Sequence, residues 1–273
     1  MTDQIQLKVA DFHAAQAKQY ELYIEIGANN FNYAVIDPQN QSVKLVARKP
    51  SNIYNGIFDD LLKAHFAKTR ISLTTQKFTF VPSELFHESA TENFSSYIGA
   101  TDSEKVCTQE IAGAGITIIY ALPKLQLDKI GSYFPNAEIY PQIVPFFKGV
   151  NFGFSQISTS QLFVNLRDGS LAEIIIYNHS KFLFYNIFEF QNPDELMYFV
   201  LLAAQENSIK PASATLKLSG VADEEDDVFN RLSAYFPHTE LIDQDSLPLF
   251  YQGLEKPALP NFFSLLALHL CGL

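Results

Sequence analysis

One plan of strands, turns and helices runs twice along this chain of 273 residues, and a repeated supersecondary unit constrains a fold more tightly than any composition does. The first copy opens with Glu21-Leu22-Tyr23-Ile24-Glu25-Ile26-Gly27, an apolar strand pattern closing on a glycine that admits a tight turn. Phe31 to Asp37 alternates as a second strand, with Phe31, Tyr33 and Val35 on one face. Asp37-Pro38-Gln39-Asn40 supplies a turn, and Ser42 to Ala47 a third strand. The helical spacing of Ile57, Leu61, Leu62, His65 and Phe66 predicts a helix. A strand over Lys77 to Val81 and a helix around Phe94 to Ile98 follow.

The second copy repeats the order. Leu162 to Leu166 reads as a strand, and Arg167-Asp168-Gly169-Ser170 carries the Asp-Gly hairpin signal. Leu171 to Tyr177 and Lys181 to Phe188 are the next two strands, joined by Asn178-His179-Ser180. A helix from Asp194 to Asn207 starts beside Pro193, a strand covers Thr215 to Leu218, and a helix covers Asp223 to Tyr235. Glu25 and Asn165 are equivalent at an offset of 140 (165 − 25), and Phe80 and Leu218 at 138 (218 − 80). Each half then adds a tail. In the first these are a strand at Ile116 to Ala121, a helix at Leu125 to Phe134, a strand at Ala137 to Tyr140 and a helix at Ile143 to Val150. In the second they are a strand at Glu240 to Ile242 and a buried helix at Phe262 to Leu270. The expectation is an α/β protein of two β-β-β-α-β-α halves, 1–150 and 151–273, with a cleft between them.

Composition excludes several classes. The chain is 47% hydrophobic and 18% charged, which a disordered chain is not. Nineteen Lys and Arg against thirty Asp and Glu give a net charge of −11, which disfavours binding along a nucleic-acid backbone. Two cysteines, Cys107 and Cys271, make neither a disulfide framework nor an unaided zinc site. No apolar run approaches the roughly 20 residues needed to span a bilayer, and the first ten residues lack the apolar core of a signal peptide. A cytoplasmic protein without membrane insertion is expected.

The order of the repeat, with three loop signatures, resembles the actin-like ATPase (ribonuclease H-like) fold. The signatures are Leu22-Tyr23-Ile24-Glu25-Ile26-Gly27-Ala28, Leu162-Phe163-Val164-Asn165-Leu166-Arg167 and Leu216-Lys217-Leu218-Ser219-Gly220-Val221. They fall at that family's first phosphate loop, second phosphate loop and adenosine loop. Residues 20 to 273 also look like a bacterial family of unknown function with this fold, similar in course to the pilus-assembly actin-like scaffolds. The resemblance implies a nucleotide cleft at Glu25, Gly27, Asn29, Asn165, Arg167, Ser219 and Gly220.

The departures from the family pattern bear on chemistry. Active members carry Asp-x-Gly in the first loop, where a short carboxylate organises hydrated Mg²⁺; here Glu25 is one methylene longer while Gly27 is kept. In the second loop Asn165 cannot be an anionic ligand, and Arg167 stands where a glycine is usual. Glu25 is either a metal-organising acid or a strand-end acid held by a salt bridge, and Arg167 either a phosphate ligand or a hairpin arginine. The resemblance therefore implies a non-catalytic actin-like domain: a protein-interaction or assembly scaffold with a degenerate nucleotide site and no catalytic residue or metal. A protein partner or a second copy is expected to dock on aromatic surfaces at Phe146, Phe147, Phe152 and Phe154, or at Leu247 to Tyr251. The alternative is a nucleotide-dependent ATPase or kinase-like phosphotransferase using ATP and Mg²⁺. A ribonuclease H-like nuclease needs clustered carboxylates, and only Glu25 sits at a suitable loop.

Other features read as structural. Asp223-Glu224-Glu225-Asp226-Asp227 suits the acidic first turn of a helix capped at Asp223. The six histidines show no ligand spacing. Gly113-Ala114-Gly115 lacks the lysine of a phosphate loop, and no Gly-x-Ser-x-Gly elbow occurs.

Overall fold

The strands of the first half are β1 (Ile5–Lys8), β2 (Glu21–Ile26), β3 (Phe31–Asp37), β4 (Ser42–Lys49), β5 (Lys68–Leu73), β6 (Phe78–Pro82), β7 (Glu104–Ile111), β8 (Ile116–Pro123) and β9 (Glu138–Pro141). Those of the second are β10 (Ser160–Arg167), β11 (Leu171–Asn178), β12 (Lys181–Glu189), β13 (Thr215–Ser219) and β14 (His238–Leu241). This computed structural model describes residues 5–49, 60–111, 114–154, 159–220 and 225–272. Among the described residues the strands form sheets ordered β1-β4-β3-β2-β5-β9, β12-β11-β10-β13-β14 and β6-β8-β7.

The two larger sheets share one topology. In each, three consecutive antiparallel strands form a meander, and the first of these takes two parallel neighbours on its other side: β2-β5-β9 and β10-β13-β14. Register makes the internal equivalence explicit. Glu25 pairs with Asn32 on β3 and Ser72 on β5, whereas Asn165 pairs with Glu173 on β11 and Ser219 on β13.

The helices are α1 (Thr91–Tyr97), α2 (Lys124–Tyr133), α3 (Ile143–Gly153), α4 (Pro193–Glu206), α5 (Asp227–Ser233) and α6 (Phe263–Leu266). One core cluster fills the space shared by both sheets, α3 and the C-terminal segment, and includes Leu22, Ile24, Phe146, Phe147, Phe163 and Phe263. A second lies under α4 and α5, with Leu162, Val164, Leu196, Val200, Leu216 and Phe236. Alternate residues of β10 thus enter different cores, which is why its centre, Leu162-Phe163-Val164, is a continuous apolar run rather than alternating.

Several expectations are corrected. The parallel strand equivalent to Thr215–Leu218 is β5, not Lys77–Val81, so Ile71 rather than Phe80 matches Leu218. β5 opens with Lys68-Thr69-Arg70 and hides its strand character, while the Lys77–Val81 segment becomes β6 in the separate three-stranded sheet. The strand β7, largely polar and half-exposed, was not foreseen. Leu61 to Lys63 form a turn rather than a helix, and Ile57 lies outside the described residues, as do Gly113, Val221, Asp223 and Glu224. The cap of α5 is Asp226, whose carboxylate accepts from the Val228 N–H (2.8 Å). The C-terminal helix is the single turn α6 between 3-10 segments Lys256–Phe262 and Ala267–Gly272, the first of which contains Pro260.

The expected aromatic docking surfaces are mostly core. Phe146 is fully buried against Phe263 of the C-terminal segment and Phe147 against Tyr177 and Phe182 of the second sheet, and Leu247, Leu249 and Tyr251 are buried too. Of the residues in these two clusters Phe152 and Phe250 are exposed, and Phe154 and Pro248 are half-buried. Apolar residues at a junction between two halves are drawn inward because both halves exclude water from them.

Candidate functional site

The ends of β2 and β10 meet at one cleft. The turn after β2 is held by the Gly27 N–H donating to the Asn30 carbonyl (3.0 Å). Opposite it, the β10–β11 hairpin is a three-residue loop, Asp168 to Ser170, in which Gly169 and Ser170 take positive φ (79° and 56°) where a two-residue Asp-Gly turn would place Asp168 and Gly169 there. The hairpin's Asp168 carboxylate reaches across the cleft. One oxygen accepts from the backbone N–H groups of both Asn29 and Asn30, the latter at 2.9 Å. Gly27 is required by this approach, since a Cβ there would lie 2.6 Å from Asp168 Cβ.

Behind this clamp lies a buried polar cluster. Glu25 accepts from Asn32 Nδ2 (3.2 Å), and Asn32 Oδ1 accepts from Arg48 Nε (3.1 Å). In the other sheet Asn165 Nδ2 donates to Glu173 (2.9 Å), and the Ser219 hydroxyl donates to Asn165 Oδ1 (2.8 Å). These are one cross-strand amide–carboxylate pair built twice with the roles exchanged. Arg167 joins them: its Nη1 lies 3.2 Å from Glu25, 3.1 Å from Glu173 and 3.3 Å from Ser264 Oγ, and its Nη2 3.2 Å from Thr74 Oγ1. The Arg167 side chain is 3% exposed and that of Glu173 fully buried.

Burial alone would lower the Arg167 pKa, but attraction by Glu25 and Glu173 outweighs it and the net direction is up. Burial pushes the Glu173 carboxyl above its ordinary range despite Arg167. All its hydrogen-bond partners — Arg167, Asn165 and the Tyr185 hydroxyl at 2.8 Å — donate, so the cluster is built for the carboxylate. The Tyr185 hydroxyl itself is raised well above its usual value, first by burial and then by Glu173.

All seven residues implied by the resemblance come together here. Glu25, Asn29, Arg167 and Gly220 line a cleft of about 390 Å³, while Asn165 and Ser219 lie buried behind its wall and Gly27 sits under Asp168. Gly220 takes φ +83°, and a Cβ on it would strike the Leu166 carbonyl. Glu173, Asp168, Arg48, Asn32 and Thr74 were not anticipated. Glu173 had a readable signal: a lone carboxylate inside the apolar strand Leu171 to Tyr177 must be buried beside a donor. Among the described residues no group of three or more His, Cys, Asp or Glu is arranged to hold a metal ion, and no helix is long and apolar enough to cross a membrane.

Paired meander sheets whose first strands end at one cleft define a protein of the actin-like ATPase fold. The chain is similar to a Bacteroides thetaiotaomicron VPI-5482 protein with actin-like ATPase fold and unknown function, at 18% identity and TM-score 0.72 over 85% of this chain and 93% of that one. It is also similar to a chain of the PilM-PilN type IV pilus biogenesis complex, at 11% identity and TM-score 0.67 over 92% of this chain and 98% of that one. None of the curated proteins matches the sequence. A family model described as Protein of unknown function (DUF3822) matches residues 10–239, and the chain belongs to that family.

Proposed function

We propose that this protein is a non-catalytic actin-like domain that serves as a protein-interaction or assembly scaffold, its nucleotide site replaced by an internal ion-pair network. The observation carrying this reading is Arg167, whose guanidinium lies within 3.2 Å of Glu25 and 3.1 Å of Glu173. A Mg²⁺-nucleotide needs a carboxylate free to order metal-bound water and loop N–H groups free to meet phosphate oxygens. Glu25 is instead neutralised by Arg167, its equivalent Asn165 carries no charge, and the Asn29 and Asn30 N–H groups are taken by Asp168. The residues present do not fit Mg²⁺-ATP. That a relative in fold belongs to a two-protein pilus-biogenesis complex supports the scaffold part of the reading.

Calorimetric titration with ATP and Mg²⁺, paired with a phosphate-release assay, tests it. Neither saturable heat nor turnover above background is expected, since phosphoryl transfer rests on positioning and metal-borne charge. Mg²⁺-dependent turnover that disappears in Glu25→Ala would overturn the reading in favour of a nucleotide-dependent ATPase or phosphotransferase.

A further inference from the structure

The C-terminal 3-10 segment Ala267–Gly272 covers a buried polar cluster where β2 and β5 begin side by side. Arg70 Nη1 donates to Glu21 (2.7 Å) and to the Tyr23 hydroxyl (2.6 Å), and that hydroxyl donates to Glu21 (2.6 Å). His269 closes the cluster, its Nδ1 3.0 Å from the same hydroxyl. A phenol carries one proton, and here Glu21 takes it. The His269 contact therefore needs its own proton on Nδ1, which leaves Nε2 a bare acceptor. That nitrogen is buried with no hydrogen-bond partner among the described residues, on a residue 7% exposed. Three residues on, the Gly272 backbone lies against Arg70, and a Cβ there would strike Nη2.

A proton added at Nε2 would make an imidazolium whose new N–H has no acceptor, and a buried charge without a partner is strongly unfavourable. The groups around the segment offer it none. From β2, Glu21 is already bound by Arg70; from β9, Glu138 is held by Lys68 of β5 (2.9 Å) and lies 3.4 Å from Arg70 Nε. From α3, Lys148 adds a further cation at the Leu270 carbonyl, while α6 brings no titratable group. Three cations thus face two carboxylates. Burial lowers the His269 pKa below its ordinary value, with Glu21 opposing and Arg70 adding to the effect. Burial raises the Tyr23 and Tyr140 hydroxyls, and pushes the Cys271 thiol up to about 12. Burial would raise Glu138 as well, but hydrogen bonds from Lys68 and Tyr140 hold it below the carboxylate range. His269 is the member of the cluster whose ordinary range lies between about pH 5 and 8. Because its docked pKa is the lower one, docking is at full strength above about pH 6.5 and weakens as the pH falls below it.

We propose that Ala267–Gly272 is an acid-released strap: protonation of His269 at Nε2 unseats the segment from Tyr23 and Arg70 and uncovers the part of α3 on which it packs. This does not depend on whether the cleft takes nucleotide. Hydrogen exchange of the full chain at about pH 7.5 and about pH 5.5, corrected for the chemical rate, tests it. Amides of the segment should lose protection about five- to ten-fold at the lower pH, since one unit below the ordinary value favours the undocked form by at most about that factor. Core amides of β10 should keep theirs. In His269→Gln, whose carboxamide can still donate to Tyr23 but does not titrate, segment protection should be the same at both values. An NMR titration of the unaltered chain gives a second reading: the His269 ring should titrate below about 6.5. Segment protection that does not change with pH, an equal loss in His269→Gln, or a ring titrating at or above that value would overturn the proposal. The titration needs no variant, so it decides even where His269→Gln fails to fold.

Discussion

At the scale of single residues, the cleft is organised around a buried guanidinium. Arg167 sits between two carboxylates, Glu25 and Glu173, that come from different sheets and are each already paired with an amide. Removing one partner of a buried ion pair leaves the other uncompensated, at a cost of about 3–5 kcal/mol. Arg167→Met is therefore expected to lower the unfolding free energy by that amount, read as a lower urea midpoint at an unchanged slope. Adding Glu173→Gln should recover much of the loss, because the buried charge goes with its counter-ion. Additive effects of the two substitutions would contradict direct coupling. Glu25, Asn165 and Arg167 were legible in the sequence because they fall at turn signals that close strands. Which of them touch was not, since that depends on how two strands about 140 residues apart converge.

Between elements, the contact that matters is the β10–β11 hairpin against the turn after β2. Asp168 satisfies two backbone N–H groups that this tight turn leaves without strand partners. A charge-assisted bond of this kind contributes about 1.5–3 kcal/mol. Asp168→Ala should cost about that much and, more diagnostically, raise amide exchange at Asn29 and Asn30 while leaving the β2 core amides protected. Unchanged exchange at these two amides would rule out the clamp. The hairpin itself was readable from Asp168-Gly169, as were the meander strands, because local turn chemistry and apolar runs announce them. β5 and β7 were not readable. Each takes its strand form from neighbours already in place, through parallel pairing with β2 in one case and antiparallel pairing with β8 in the other.

Across the whole molecule, the C-terminal segment belongs to the first half's core although it follows the second. Phe262, Phe263, Leu265, Leu266, Leu268 and Leu270 are buried there; α6 packs on β2, β3 and α3, and the 3-10 segment after it on α3 and β5. Gly149 permits this crossing, since a Cβ there would come within 2.9 Å of Ala267 and 3.0 Å of Phe263. The tail is also pinned by polar contacts: Lys148 Nζ donates to the Leu270 carbonyl (2.9 Å), and the Tyr140 hydroxyl to that of Cys271 (3.1 Å). Each buried Phe or Leu contributes about 1.5–3 kcal/mol, so losing six exceeds much of the roughly 5–15 kcal/mol that keeps a domain folded. Truncation after Asn261 should therefore abolish the cooperative thermal transition, and a truncated chain that melts normally would show the segment to be dispensable. By itself the sequence determined the two three-strand meanders and the turns that end β2 and β10, because these are written in local patterns of apolar and turn-forming residues. Tertiary structure alone decided that Arg167 would neutralise Glu25, that Asp168 would cover the loop amides, and that the aromatic junction would be core. Those outcomes depend on distances between chain segments far apart in sequence, and only packing, which excludes water and brings charges into contact, sets such distances.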